Sequence, residues 1–201
     1  MRVKIFIGPI NYDIGKLYEK EDNQYLIAVD KGAYNALKKG LDLDLVLGDF
    51  DSVTETEKAY IDEHAKKVES FKVRKDFTDS YLAIKEALKL DPEEILVYGG
   101  MGGRLDHTYA NILLLKLGPI TFINETHVMY ILNPGSYEIK NHHPYISFFA
   151  LEDIKALSLK EFSFELDRYD LDIDDPLCVS NQGSGTVSFK EGLMLVIEAR
   201  D

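Results

Sequence analysis

Apolar positions in this chain follow two rhythms, and the change falls near residue 124. Before it, short unbroken apolar runs alternate with helical stretches. The runs Val3–Ile7, Tyr25–Val29, Leu43–Leu47, Lys67–Phe71, Ile95–Tyr98 and Ile120–Ile123 are rich in Val, Ile, Leu and Phe and hold few charges. That is the pattern of strands buried on both faces. Between them the spacing predicts helices over Thr54–Lys66, Asp79–Leu90 and Leu105–Leu117. Ser52 or Thr54 caps the first. In the second, Tyr81, Ile84 and Leu88 share a face, and Asp91-Pro92 stops it. In the third, Leu105, Tyr109, Ile112, Leu113 and Leu117 recur at helical spacing, and Gly118-Pro119 closes it. Strand and helix in alternation predict an α/β fold, with an open, mostly parallel sheet and helices on both faces.

Beyond residue 124 the period becomes two. Phe162, Phe164 and Leu166 alternate with Ser163 and Glu165, and Val187 and Phe189 flank Ser188. Turn signals recur at Asn133-Pro134-Gly135, Asn141–Pro144, Gly183-Ser184-Gly185 and Glu191-Gly192. An all-β sandwich is expected here, so the chain divides into an α/β domain, 1–124, and a C-terminal β domain, 125–201.

Composition narrows the partners. A net charge of −12 over 201 residues argues against nonspecific nucleic-acid binding. Lys72, Arg74 and Lys75 form a local basic cluster, and Arg104 is a separate positive charge. Cys178 is the only cysteine, which excludes an internal disulfide and a cysteine-based zinc site. Met1–Gly8 reads as a first strand rather than a leader, and no run reaches the ~18 apolar residues of a membrane span. A cytoplasmic protein with no membrane partner is expected.

Candidate chemistry collects at the carboxyl ends of the predicted strands, where open parallel sheets bind ligands. Asp30 follows Tyr25–Val29. Asp49 and Asp51 follow Leu43–Leu47, two residues apart, so in extended chain their side chains point the same way. Two carboxylates held that close favour a divalent cation between them, and magnesium suits one or two carboxylates shared with phosphate oxygens. Asp76 and Asp79 either charge the start of the next helix or join that site. Gly99-Gly100-Met101-Gly102-Gly103-Arg104 lets backbone N–H groups approach an anion at a helix start. It matches neither the P-loop nor the dinucleotide fingerprint. Asp106 is a dipole partner or a site residue, and His107 lies on a helix surface or at the ligand. Asp170–Asp175 reads as a solvated strand, with Leu171 and Ile173 on one face. An aspartate-nucleophile phosphatase also places Asp-x-Asp after a strand, but has no use for the glycine–arginine loop.

Val29-Asp30-Lys31-Gly32-Ala33, Gly48-Asp49-Phe50-Asp51-Ser52, Lys75-Asp76-Phe77-Thr78-Asp79, Gly99–His107 and Ser180-Asn181 with Gly183-Ser184-Gly185 together resemble thiamine pyrophosphokinase, in order and spacing over nearly the whole chain. The lysine before Asp76 resembles the bacterial branch. The resemblance implies transfer of a pyrophosphoryl group from ATP to the hydroxyl of thiamine, giving thiamine diphosphate and AMP. It implies Mg²⁺, and a homodimer with its sites at the subunit cleft. Carried over by position, Asp49, Asp51 and Asp79 are the implied metal ligands, and with Arg104 the implied catalytic set. Asp30, Lys31, Gly99, Gly100, Gly103, Arg104, Asp106 and His107 are implied at ATP. Asp76, Thr78, Ser180 and Asn181 are implied at thiamine. Some relatives lay a tryptophan over the thiamine ring; this chain has none, so its stacking partner is unassigned.

Overall fold

Apolar runs that burial makes continuous become the central strands. The structure, a computed structural model, describes residues 1–8, 13–70 and 77–201. It forms two units, Met1–Glu125 and Thr126–Asp201.

The first unit runs β1 (Arg2–Ile7), α1 (Ile14–Leu17), β2 (Gln24–Val29), α2 (Lys31–Lys38), β3 (Leu45–Gly48), α3 (Glu55–His64), β4 (Val68–Ser70), α4 (Asp79–Leu88), β5 (Glu94–Tyr98), α5 (Leu105–Leu114) and β6 (Ile120–Ile123). The strands order as β4-β3-β2-β1-β5-β6, and every pairing is parallel. The chain thus builds outward from β1 in one direction, then crosses back to add β5 and β6 on its other side. The space beyond the carboxyl ends of β1 and β5 is a topological switch point, the place where such sheets hold ligands. Val3, Ile5, Ile27, Val46, Ile95 and Val97 are buried. Lys4 is buried among them, but its ammonium pairs with Glu21 at 2.9 Å, bonds the Glu19 carbonyl and lies 5.0 Å from the Tyr18 ring. A buried charge is tolerated on those terms.

Helix starts follow the capping signals. Thr54 and Glu57 form a reciprocal capping box at α3, and Thr78 accepts the Tyr81 N–H at α4. The sequence reading did not anticipate α2, which opens on Lys31-Gly32 without a side-chain cap. Of the predicted strand Lys67–Phe71, Val68–Ser70 is a strand and Phe71 lies outside the described residues. On α5 the apolar stripe is not core: Leu105 is 81% exposed, Tyr109 63% and Leu113 49%.

The second unit holds β7 (His127–Leu132), β8 (Gly135–Ile139), β9 (Tyr145–Lys160), β10 (Leu166–Leu171), β11 (Gly185–Phe189) and β12 (Glu191–Ala199). Every pairing is antiparallel. Strand β9 pairs with β12 along its first part and with β10 and β11 along its last. Its pairing with β12 slips in register, and Ala156 takes a positive φ of 56°. Two sheets therefore share β9, and Ile146, Phe148, Leu157, Leu159, Val187 and Val196 from both meet in one core.

Two local expectations are corrected. Phe162, Phe164 and Leu166 do not lie along one strand. Glu161 has φ 69° and turns the chain out of β9, so Phe162 enters the core while Phe164 is 66% exposed. Leu171 and Ile173 likewise part company: β10 ends at Leu171, which is buried, and Ile173 is exposed.

Candidate metal and phosphate site

Asp30 sits between β2 and α2 with φ 46° and ψ −125°, a sparsely populated conformation for a residue with a side chain. The neighbouring strand holds it there. Its N–H donates to the Leu47 carbonyl at 3.0 Å, and its carboxylate accepts the Phe50 N–H at 3.1 Å. The carboxylate lies where a side chain at residue 48 would be: a Cβ added to Gly48 would come within 1.9 Å of Asp30 Oδ1. Glycine at 48 is thus a condition for Asp30 to reach the rim.

The Asp49–Asp51 segment is a turn rather than extended chain. Phe50 has φ 59°, and Asp49 Oδ1 accepts the Asp51 N–H at 3.1 Å. The turn brings oxygens of Asp30, Asp49 and Asp51 all within 4.8 Å of one another. Asp79, the first residue of α4, is not in that trio, but shares its field.

Electrostatics ties the four together. Burial, chiefly, pushes the Asp30 carboxyl up to about 6, and the charges of Asp79, Asp49 and Asp51 add to it against the Phe50 hydrogen bond. The Asp79 carboxyl is also raised, by loss of hydration and then by Asp49 and Asp51, while a hydrogen bond to Asp30 and the nearby His107 oppose the rise. The crowding of these carboxyl groups raises the affinity of the cluster for positive charge. Its donors are all carboxylate oxygens, the set hard divalent cations prefer.

The second component follows β5. Gly99, Gly100, Gly102 and Gly103 all have positive φ, which suits glycine and few other residues. At Gly100 space matters too, since a Cβ would meet Asn111 Nδ2 at 2.8 Å and Phe122 at 3.1 Å. Buried Asn111, which the sequence reading passed over, donates from Nδ2 to the Gly100 carbonyl at 2.6 Å. Its signal was a lone amide in the apolar run Ala110–Leu115. Thr108 accepts the Gly102 N–H at 3.3 Å and donates to the Arg104 carbonyl at 3.3 Å. Arg104 occupies the cap position of α5 and forks onto Asp106, with Nη2–Oδ2 2.6 Å and Nε–Oδ1 3.2 Å.

The remaining expected residues fall as follows. Lys31 faces Glu57 at 3.4 Å. Thr78 caps α4. Asp76 lies outside the described residues, as do Lys72, Arg74 and Lys75. In the second unit Ser180 is exposed with φ 60°, and its N–H donates to Ser147 at 3.0 Å. Asn181 is 3% exposed. Its Oδ1 accepts from the N–H groups of Phe164 and Gln182 at 3.0 and 2.9 Å, and its Nδ2 donates to the Phe164 carbonyl at 2.7 Å.

Comparison with known proteins covers both units. A family model described as thiamin pyrophosphokinase, catalytic domain, matches residues 17–120, and one described as its vitamin B1 binding domain matches residues 136–194. A thiamine pyrophosphokinase of Bacillus subtilis (strain 168) is 34% identical over 192 residues, 90% of each chain. The crystal structure of thiamine pyrophosphokinase from Bacillus subtilis superposes with a TM-score of 0.90 at 34% identity over 100% of both chains. That of thiamin pyrophosphokinase from Geobacillus thermodenitrificans gives 0.89 at 27% identity, over 100% of this chain and 98% of the other. Thiamin pyrophosphokinase from Candida albicans shares the fold, with a TM-score of 0.78 at 18% identity, over 99% of this chain and 90% of the other.

Proposed function

This chain belongs to the thiamine pyrophosphokinase family, and from that membership we propose that it converts thiamine and ATP to thiamine diphosphate and AMP. The observation that carries the mechanism is the meeting of three carboxylates within 4.8 Å at the rim of a parallel sheet. Asp30, Asp49 and Asp51 are assigned to hold Mg²⁺, with Asp79 beside them. Mg²⁺ bound there supplies positive charge to phosphate oxygens as negative charge shifts during displacement.

The chain's own residues do the rest. The glycine loop presents backbone N–H groups to the phosphates, and Asn111 keeps the loop in shape. Arg104 adds a guanidinium once it exchanges Asp106 for phosphate. Asp79, whose carboxyl titrates above the ordinary range, is assigned to receive the hydroxyl proton of thiamine as the oxygen attacks the β-phosphorus. The enzyme is assigned to the cytoplasm; among the described residues no helix is long and apolar enough to cross a membrane.

The exposed stripe of Leu105, Tyr109 and Leu113 on α5 supports a homodimer, since contiguous exposed apolar surface marks an interaction site. The deciding measurement is AMP release from ATP with Mg²⁺, with and without thiamine, read beside product mass. Thiamine-dependent AMP in step with thiamine diphosphate is expected. ADP with thiamine monophosphate, or AMP formed equally without thiamine, overturns the assignment.

A further inference from the structure

The acidic turn of the metal site is tied to the protein through its middle residue. Asp49 and Asp51 are exposed, and Phe50 between them is partly buried. Both backbone polar groups of Phe50 are engaged: its N–H donates to Asp30, and its carbonyl accepts the Val53 N–H at 3.2 Å. Its side chain packs against the buried core of the first unit, as do those of Val53 and Tyr60. The hydrogen bond between Asp49 and Asp51 lies within the turn itself, so it anchors the turn to nothing else. With φ at 59°, Phe50 occupies a region that residues with a side chain seldom adopt. Such a conformation persists where surrounding contacts hold it.

One of those contacts is a cation. Lys58 Nζ lies 4.5 Å from the centroid of the Phe50 ring, and the same ammonium pairs with Asp62. Lys58 is the fourth residue of α3, near a helix start whose partial positive charge disfavours lysine. Asp62 stands four residues later, the less favourable order for a helical ion pair. Helix stability therefore does not account for the pair. Contact with a ring does: the π-face of Phe50 attracts the ammonium, and Asp62 keeps it in place.

We propose that Phe50 and Lys58 are positioning residues for the metal site. The ammonium of Lys58, steadied by Asp62, pins the Phe50 ring, and the pinned ring fixes the turn that brings Asp49 and Asp51 to Asp30. Neither side chain touches the metal. The inference rests on the metal assignment above and adds to it the means by which the ligands are preorganised. Carboxylates that repel one another spread apart unless their backbone is held. A looser turn thus weakens binding of a divalent cation and leaves the thiamine contacts as they are.

Mn²⁺ binding to nucleotide-free protein, followed through the electron paramagnetic resonance of the free ion, tests this without turnover. Lys58→Met keeps the stem and loses the charge, so the Mn²⁺ dissociation constant should rise about threefold. Lys58→Arg, whose guanidinium also sits on aromatic faces, should bring the constant back to that of the unaltered protein. Phe50→Leu keeps apolar bulk against the core and loses the π-face. Its constant should rise as well, and Lys58→Met should add little in that background. In turnover, the Mg²⁺ midpoint should rise in step while the thiamine KM holds. The two Lys58 variants decide the matter even if Phe50→Leu does not fold. An unchanged Mn²⁺ constant in Lys58→Met overturns the proposal, whether or not the metal-free variant melts earlier, and so does a constant that Lys58→Arg fails to restore. An undiminished effect of Lys58→Met in the Phe50→Leu background means that the ammonium acts on the acids directly, and overturns the role of the ring. Unaltered protein that takes up no Mn²⁺ is a different failure, that of the metal assignment.

Discussion

Three carboxylates within 4.8 Å repel one another, and the protein keeps them together through Asp30. Its strained backbone, the Phe50 N–H and the missing side chain at Gly48 leave its carboxyl one place to go. The arrangement costs stability once the acids ionise. The Asp30 carboxyl titrates at about 6 in the folded chain, against about 3.9 when unfolded. A raised folded value contributes stability that is fully present below pH ~4 and is lost as pH rises through ~6. Metal-free protein should therefore melt at falling temperatures across that window, and Mg²⁺ should restore more at pH 7.5 than at pH 5. Thermal unfolding of the unaltered chain and of Asp30→Asn, with and without Mg²⁺, checks this; the variant's profile should be flatter, and equal Mg²⁺ shifts at both pH values contradict it. Asp51→Asn removes one of the repelling charges without touching the core. Turnover should fall by roughly 100-fold or more, while the melting temperature holds or rises. An active, equally magnesium-dependent Asp51→Asn enzyme removes Asp51 from the ligand set. The Asp49–Asp51 pair stands out in the sequence as a candidate for metal, whereas Asp30 is implied only at ATP, because nothing in the spacing of 30 and 49 reveals that parallel pairing sets β2 and β3 side by side.

Elements matter here for what they hold still. The glycine loop gains φ freedom from its composition and loses it again to Asn111 and Thr108 on α5. Asn111→Ala leaves the half-buried carbonyl of Gly100 without its partner, a cost of about 1 kcal/mol. The same change should raise the ATP KM while the thiamine KM holds, a split that steady-state kinetics reads directly. Legibility of elements followed burial. Strand β3 and nearly all of β1, with the last four residues of β2, are buried at successive positions, so their apolar runs are continuous and stood out. Helix α2 did not, since Lys31-Gly32-Ala33 offers neither a side-chain cap nor a long stripe. Period-two reasoning failed at Phe164 for a different reason. Alternation continued in the sequence through a turn whose geometry depends on Asn181, seventeen positions away.

At the scale of the whole molecule, the pattern of α5 was read correctly as helical, yet its apolar face is left in solvent. Helical spacing announces that a face will be covered; it does not say by what. If a second copy covers it, the enzyme should scatter light as two chains, and Tyr109→Glu with Leu113→Glu should shift it to one. A wild type of single-chain mass removes the stripe's assigned purpose. Division into an α/β half and a β half was visible in the change of rhythm, because buried parallel strands and two-faced antiparallel ones demand different alternation. What that rhythm could not convey is that one strand serves two sheets. Because β9 lends one end to β12 and the other to β10 and β11, neither layer can peel open without unstitching a strand the other relies on. Amide protons along 145–160 should accordingly exchange with deuterium as a single block, at the free energy of opening the entire C-terminal half; a protected first stretch beside a fast second one would mean the two layers come apart separately.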